Sequence, residues 1–424
     1  MTSSPIRVAI TGGGLAGASL VHALLAHSHL DVHIFESSPA FKEAGMAIGV
    51  ARNALDALDL MGPSASQCLQ QAGAVPMRGV RFMLAQGEGA GSMIDEAHDN
   101  DGQRVVHIVH RAAFLRELLA NVPPERMHAS KRLDHYVETS HNGVDGFLTI
   151  HFTDGTTHEC DILIGADGIH STVRRLLLGE DSPSAFPRNT GAWGIITMRP
   201  FAEAQSSIGK DYINKEDARE YSWVGNGTYF MHNVLSEVEM VQMILASHDK
   251  NAESPDDWQR TVSADDLKKL YQDWPPHLYK AVNESAMYLW EHPPARTYVS
   301  GAVCIMGDAA HATTPWQGSG GGMSIENSLI LSTLLGRIKT TAEARIALKV
   351  YDQVRRPRTQ RIVESSRGTG LIVAGFKPET ELNLSTLREK LLPRWSFIVD
   401  FDIAKHHEEA VAIMDRELKG LSRI

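Results

Sequence analysis

Three glycines near the start of the chain have the types and spacing to hold a phosphate. The stretch Ile6-Arg7-Val8-Ala9-Ile10-Thr11-Gly12-Gly13-Gly14-Leu15-Ala16-Gly17 runs from an apolar strand through a glycine turn into an apolar helix. Gly12 and Gly14 let the backbone turn tightly and approach a pyrophosphate, and Gly17 lets the helix pack close to the strand. The helix start at Leu15 and Ala16 adds N–H groups and the positive end of a dipole. A second strand, Val32-His33-Ile34-Phe35, ends in Glu36, placed to accept ribose hydroxyls. The pattern predicts an adenine dinucleotide site, and this stretch alone leaves open which dinucleotide it holds.

Two further strand ends carry an acid beside glycine. Asp161-Ile162-Leu163-Ile164-Gly165-Ala166-Asp167-Gly168 is nearly all apolar until its last residues, the pattern of a strand buried on both faces, and it precedes a helix containing Arg174 and Arg175. Ala302-Val303-Cys304-Ile305-Met306 repeats that pattern and ends in Gly307-Asp308-Ala309-Ala310-His311. The run Pro315-Trp316-Gln317-Gly318-Ser319-Gly320-Gly321-Gly322 then leads into a helix from Met323 to Leu335. Bare glycine N–H groups at a helix start can seat a polar or anionic group. Arg111, where a strand at 105–109 gives way to a helix, falls at the kind of position that faces the ligand crevice of a doubly wound sheet.

The elements that must position these residues follow in order. A helix is predicted over 53–61, a sheet excursion over 75–110, and a hairpin over 147–160 turning at Asp154-Gly155. From about 181 to 292 the texture shifts to strands rich in Trp, Tyr, Phe and Met, bounded by the Pro275-Pro276 and Pro293-Pro294 punctuation, which predicts an inserted sheet covering the ligand. A long helix over 342–367 carries Arg355-Arg356-Pro357-Arg358, with Pro357 expected to kink or break it and the charges expected on a solvated face. After Gly375 the chain reads as a polar amphipathic helical tail packing on the outside or in an oligomer contact, with His406-His407-Glu408-Glu409 facing solvent.

Composition bounds the rest. At 424 residues, about two to three domains are expected. The totals of 43% hydrophobic and 22% charged residues describe a globular chain, and 41 basic against 51 acidic residues argue against a nucleic-acid or anionic-membrane surface. Cys68, Cys160 and Cys304 form no C-x-x-C, so no disulfide framework or metal site is expected, and a reducing cytoplasmic compartment fits. No signal peptide or membrane span is expected, the sequons at Asn226, Asn283 and Asn383 read as chance matches, and Ser422-Arg423-Ile424 is only loosely like a peroxisomal signal.

Taken together, Gly12-x-Gly14-x-x-Gly17 with Glu36, Asp167-Gly168, and Gly307-Asp308-Ala309-Ala310-His311 with its glycine-rich follow-on resemble the single-component FAD-dependent aromatic hydroxylases, the salicylate hydroxylase-like flavoprotein monooxygenases. The resemblance covers nearly the whole chain to about residue 370. It implies an α/β fold: a doubly wound, glutathione reductase-like FAD-binding domain with an inserted β-sheet substrate domain and a helical C-terminus. The FAD-binding parts would be 1–75, 111–180 and 293–370, with 76–110 a β excursion, 181–292 the substrate domain and 371–424 the tail.

By the same resemblance the first glycine turn holds the FAD pyrophosphate, Glu36 the adenosine ribose, and Arg111 and Asp308 the flavin side. Gly49 and Gly318 would also bind the cofactor, the backbone around Gly320, Gly321, Gly322 and Met323 would face the isoalloxazine, and Asp167 would contact FAD and the nicotinamide cofactor. The implied activity is NAD(P)H- and O₂-dependent hydroxylation of a small, phenolic aromatic through a flavin hydroperoxide. Dearomatisation or epoxidation of a polyketide or alkaloid, or a flavoprotein dehydrogenase that never uses O₂, stay open as alternatives, as does the oligomeric state. Tyr229 and His232 are the candidates to deprotonate or orient a phenol, and in a strand they face opposite sides, so at most one serves. Ala192-Trp193-Gly194 lacks the arginine frequent in that family, His232-Asn233 replaces the usual Tyr-Pro, and Arg52 stands where proline is common. Arg52 would meet a cofactor phosphate, an acidic substrate or plain solvent. His311 reads as structural, and Trp316 as bordering the flavin or packing in the core.

Overall fold

The computed structural model describes residues 4–42, 46–98, 105–139, 146–235, 239–248, 258–260, 262–274, 286–374, 382–391 and 393–421. The Pro275-Pro276 punctuation, the Asn283 sequon, Gly375 and the terminal Ser422-Arg423-Ile424 lie outside them.

The apolar strands read from sequence assemble side by side. Ile6–Thr11 lies between Leu30–Phe35 and Ile162–Gly165, and Val303–Ile305 follows, all parallel. Met127–His128 and Val299–Ser300 form the two edges of this six-stranded sheet. Its central strands are buried because helices cover the sheet, including Leu15–Leu24, every residue of which is buried. Two glycines make that packing possible. Gly12 has φ +103°, and a Cβ there would sit 2.1 Å from the Ala166 carbonyl oxygen; a Cβ on Gly17 would sit 2.0 Å from the Gly12 carbonyl oxygen.

A second sheet of eight strands joins the excursion to the aromatic-rich region. Its order is Gln259–Arg260, Ala286–Glu291, Arg188–Pro200, Met240–His248, Thr228–Leu235, Glu220–Val224, Gly79–Leu84, Met93–His98. Gly79–Leu84 pairs in parallel with Glu220–Val224, so Val80 lies opposite Glu220. A small sheet of Ala47–Ala51, Val106–His110 and Val75–Met77 stands between the two. The hairpin forms as predicted, Leu148–Phe152 against Thr157–Cys160.

The C-terminal third departs from expectation in three ways. The helix Thr341–Val373 continues past Pro357, so that residue does not break it. Arg355 and Arg358 are not on a solvated face: their side chains are 0% and 8% exposed and close on Glu326, itself 0% exposed. The tail helices Leu384–Leu391, Pro393–Val399 and Ile403–Leu421 are structural walls, with Leu387, Leu391, Ile398, Ala410 and Met414 buried in the cores. His406 is buried against Arg355 and His407 bonds Thr333, so the histidine pair does not simply face solvent. Among the described residues no helix is long and apolar enough to cross a membrane.

Candidate active site

Ile6–Thr11, Ile162–Gly165 and Val303–Ile305 are parallel neighbours, so their carboxyl ends open at one edge of the sheet, where α/β folds bind ligands. The turns that leave those ends carry Gly12–Gly14, Ala166–Gly168 and Gly307–Asp308. They border a cavity of about 380 Å³, lined on this side by Gly14, Leu15, Ala16, Ala166, Gly168 and Asp308. Gly49, Arg111, Gly318, Gly320 and Gly321 line it too.

Two helix starts converge here. Among the described residues, neither Gly14 nor Ser319, the residues preceding Leu15–Leu24 and Gly320–Leu335, caps its helix with a side chain, and both helix starts border the cavity. They are close neighbours: a Cβ on Gly321 would lie 3.3 Å from Leu15 Cδ2, and one on Gly307 would lie 2.5 Å from Ala16 Cβ. Gly318 holds the left-handed conformation, φ +60°, that turns the chain into the second entry. Glu36 sits beside the first turn, accepting the Gly13 N–H at 2.7 Å and the Ser38 N–H at 2.7 Å. Burial pushes the Asp308 carboxyl above the usual carboxylate range, and the charge of Arg111 works against that shift.

A cradle that side chains would fill, two helix starts, an acid beside the first turn, and Arg111 and Asp308 both lining the cavity suit an elongated, doubly charged dinucleotide. The residues present therefore fit FAD.

Three expected cofactor residues do not line the cavity, and their side chains or faces meet other parts of the protein. The Asp167 carboxylate accepts from Ser171 Oγ, from Thr172 N–H at 2.8 Å and from Val173 N–H at 3.1 Å, so it caps the helix Thr172–Leu178. Its neighbours Ala166 and Gly168 face the cavity instead. Met323 is 1% exposed, packs with Ile362, Val363 and Ile398, and its N–H bonds the Ser319 carbonyl at 2.9 Å. Gly322 faces the helix Arg52–Met61, where a Cβ would lie 3.5 Å from Ala54 Cβ. Arg52 pairs with Asp400 at 2.8 Å. His311 is buried, held by the Asn327 amide at 2.7 Å, and burial drops it to about 3, in keeping with a structural residue.

The far half of the cavity is built by the large sheet. Tyr229, Met231 and Asn233 line it from one strand, with Glu220, Ser222, Gln242, Ile244, Val80 and Phe82 from its neighbours. His232 points the other way: it is 1% exposed, receives the Trp223 Nε1–H at 3.3 Å and stacks on Tyr221 at 5.1 Å. The alternation of a strand excludes it from the site. The Tyr229 hydroxyl lies 2.8 Å from Ser222 Oγ, and burial with nearby Glu220 pushes its pKa well above the usual phenol value, so it stays a neutral phenol. Trp316 meets the Tyr229 ring edge-on at 5.7 Å and lines the cavity.

Glu220, Ser222, Gln242, Trp395 and Val399 line the cavity without having been singled out from sequence, and Asn233, noted there only as a departure from the family's Tyr-Pro, lines it too. An acid opening the apolar run Glu220-Tyr221-Ser222-Trp223-Val224 was a usable signal for Glu220, and period-two spacing from Tyr229 one for Asn233. Trp395 and Val399 had none, because an amphipathic tail does not announce what it packs against.

A family model described as an FAD binding domain matches residues 5–366. The 6-methylsalicylate 1-monooxygenase of Aspergillus terreus is 34% identical over 420 residues, covering 96% of this chain and 92% of that protein. The salicylate hydroxylase of Pseudomonas putida is 29% identical over 439 residues, covering 98% and 97%. Among solved structures, a salicylate hydroxylase substrate complex superposes with a TM-score of 0.82 at 23% identity, over 96% of this chain and 98% of that one. Klebsiella pneumoniae HpxO complexed with FAD and uric acid gives 0.74 at 22% identity, over 96% and 97%, and both likenesses are of fold. This chain belongs to the FAD-binding-domain family and is an FAD-dependent monooxygenase of the salicylate hydroxylase type.

Proposed function

We propose that this monooxygenase uses NAD(P)H and O₂ to hydroxylate a small phenolic compound. The observation that carries the reading is the union, in one cavity, of glycine-entry helix starts with a wall of Phe82, Tyr229, Met231, Ile244 and Trp316. When bound, FAD supplies the two-electron exchange with NAD(P)H and the transfer of one oxygen atom from O₂. The chain supplies grip, orientation and dryness. Glu36 would take the adenosine ribose, the helix start at Gly14–Ala16 the pyrophosphate, and Arg111 with Asp308 the flavin side of FAD. The N–H groups at Gly320 and Gly321 would hold the cofactor ring and favour negative charge on it. Tyr229, neutral and tied to Ser222, orients the phenol rather than deprotonating it. The apolar wall excludes water from the reacting atoms.

The test is NAD(P)H consumption by the purified yellow protein across a panel of phenols under ¹⁸O₂, with product mass. Substrate-stimulated consumption with one labelled oxygen in the product is expected. Turnover without label would make the protein a dehydrogenase, and a colourless protein unable to take up FAD would remove the reading altogether.

A further inference from the structure

A polar row crosses the cavity face of the large sheet. Asn233 lies opposite Gln242 in one ladder, and its Nδ2 donates to Glu220 Oε2 at 3.2 Å in the other. Two residues further along the strands, the same face carries Phe82, Ser222, Met231 and Ile244 in register. The row is thus the polar border of a largely apolar wall.

Part of its hydrogen-bonding capacity is already engaged. Gln242 Oε1 accepts the Ala47 N–H at 2.8 Å, which ties it to the strand bearing Gly49. Asn233 Nδ2 serves Glu220 and lies 3.5 Å from Met231 Sδ. Asn233 Oδ1 is different: the residue is 2% exposed, and among the described residues this oxygen has no hydrogen-bond partner. A buried amide oxygen without a donor is desolvated with no return, so it marks a place where a ligand donor would be rewarded.

The charge pattern narrows the ligand. Among the described residues lining the cavity the only cation is Arg111, which acts on Asp308 at the cofactor turn. Burial raises the pKa of Glu220 and the hydrogen bond from the Asn233 amide opposes that shift, and among the described residues no ion pair engages this carboxyl. A ring carboxylate placed here would lose its hydration beside another carboxyl with no counter-ion. A ring O–H or N–H would give Asn233 Oδ1 the donor it lacks.

Building on the aromatic monooxygenase reading above, we infer that Asn233, backed by Glu220, anchors a neutral aromatic substrate through a ring O–H or N–H donor and selects against ring carboxylates. The test uses the FAD-loaded enzyme and matched pairs, resorcinol against 2,4-dihydroxybenzoate and 3-methylphenol against its 2-carboxylated counterpart. Binding is read from the perturbation of the flavin spectrum, and turnover from ¹⁸O in the product. The neutral member of each pair is expected to bind at least about tenfold more tightly, and Asn233→Leu, which keeps the size and removes the acceptor, to erase most of that preference. FAD content and thermal midpoint report whether the variant is folded, and the wild-type panel stands without it. Carboxylates that bind as tightly as their neutral partners and gain labelled oxygen would overturn the anchor and leave the monooxygenase reading standing. Labelled product from neither series would remove both.

Discussion

Tyr229 and His232 stand three positions apart on one strand, and that spacing separates their roles. His232→Ala removes an acceptor from the buried Trp223 indole and a ring from a packed face, a loss of about 2–4 kcal/mol in stability. Its KM for substrate should stay within about twofold. Tyr229→Phe should do the reverse, keeping the fold while changing KM or the ratio of product to NAD(P)H consumed; urea unfolding and steady-state kinetics on both variants decide it. A His232→Ala enzyme that is stable but inactive would contradict the geometry. The opposed faces were legible from sequence because strand periodicity needs only local information. The contrast between Asp167 and Asp308 was not. Each acid follows a buried strand, yet Ser171, Thr172 and Val173 claim the first, while the second faces the cavity near Arg111. Ser171 as an N-cap to the next helix was the one local clue.

Among the elements, the helix Gly320–Leu335 sets the geometry of the glycine entry, and a buried ion cluster fixes that helix. Glu326 meets Arg355 at 2.6 Å and Arg358 at 2.7 Å, and Asn53 Nδ2 donates to it at 2.5 Å. Asn327, the next residue, receives Arg355 Nε at 2.8 Å and holds His311. Three helices are thereby locked around one carboxylate. Burial alone would raise the Glu326 carboxyl, but Arg355 and Arg358 outweigh it and hold it at about 2. Glu326→Gln leaves two guanidinium groups enclosed without an anion, and breaking such a cluster costs about 3–5 kcal/mol. The expected outcome is a lower thermal midpoint together with weaker FAD retention, measured as the flavin-to-protein absorbance ratio. A variant with unchanged midpoint would show that the cluster relaxes into water. The charges at 355–358 looked like a solvated run because they are contiguous in sequence. Projected on a helix, Arg355 shares its face with Tyr351, Thr359 and Ile362, all buried, and that period of three and four was the available signal.

At the scale of the whole molecule, buried bases set the acid limit. Burial, then the neighbouring His33, His128 and Arg7, drops His158 to about 4, while burial and Arg355 drop His406 to about 4. Unfolded histidine titrates near 6.5, so below that value the unfolded chain binds protons that the folded one refuses. This contribution to stability is complete above about pH 6.5 and is lost as pH falls toward 4. Urea midpoints should therefore be lower at pH 5 than at pH 7.5, and His158→Gln should shrink the difference. The tail governs the other global property, closure. It was opaque in sequence because its amphipathic period shows only that it packs, whereas its partners lie from tens to hundreds of residues away. Trp395 reaches Phe82 at 4.9 Å between ring centroids and lines the cavity beside Val399. Gln317 Nε2 donates to the Arg394 carbonyl at 2.8 Å, Arg358 to those of Phe397 and Ile398 at 3.2 Å, and Asp400 pairs with Arg52. The segment is thus pinned to the glycine entry, the ion cluster and the second helix at once, and it covers the substrate half of the cavity. Trp395→Ala removes that cover without touching the cofactor turns. FAD content should hold, while water reaching the reacting atoms should divert turnover, so that NAD(P)H consumed exceeds product and hydrogen peroxide makes up the balance. If the ratio of product to NAD(P)H is unchanged, Trp395 shapes the pocket without sealing it, and an altered KM with full coupling is the signature that distinguishes the two.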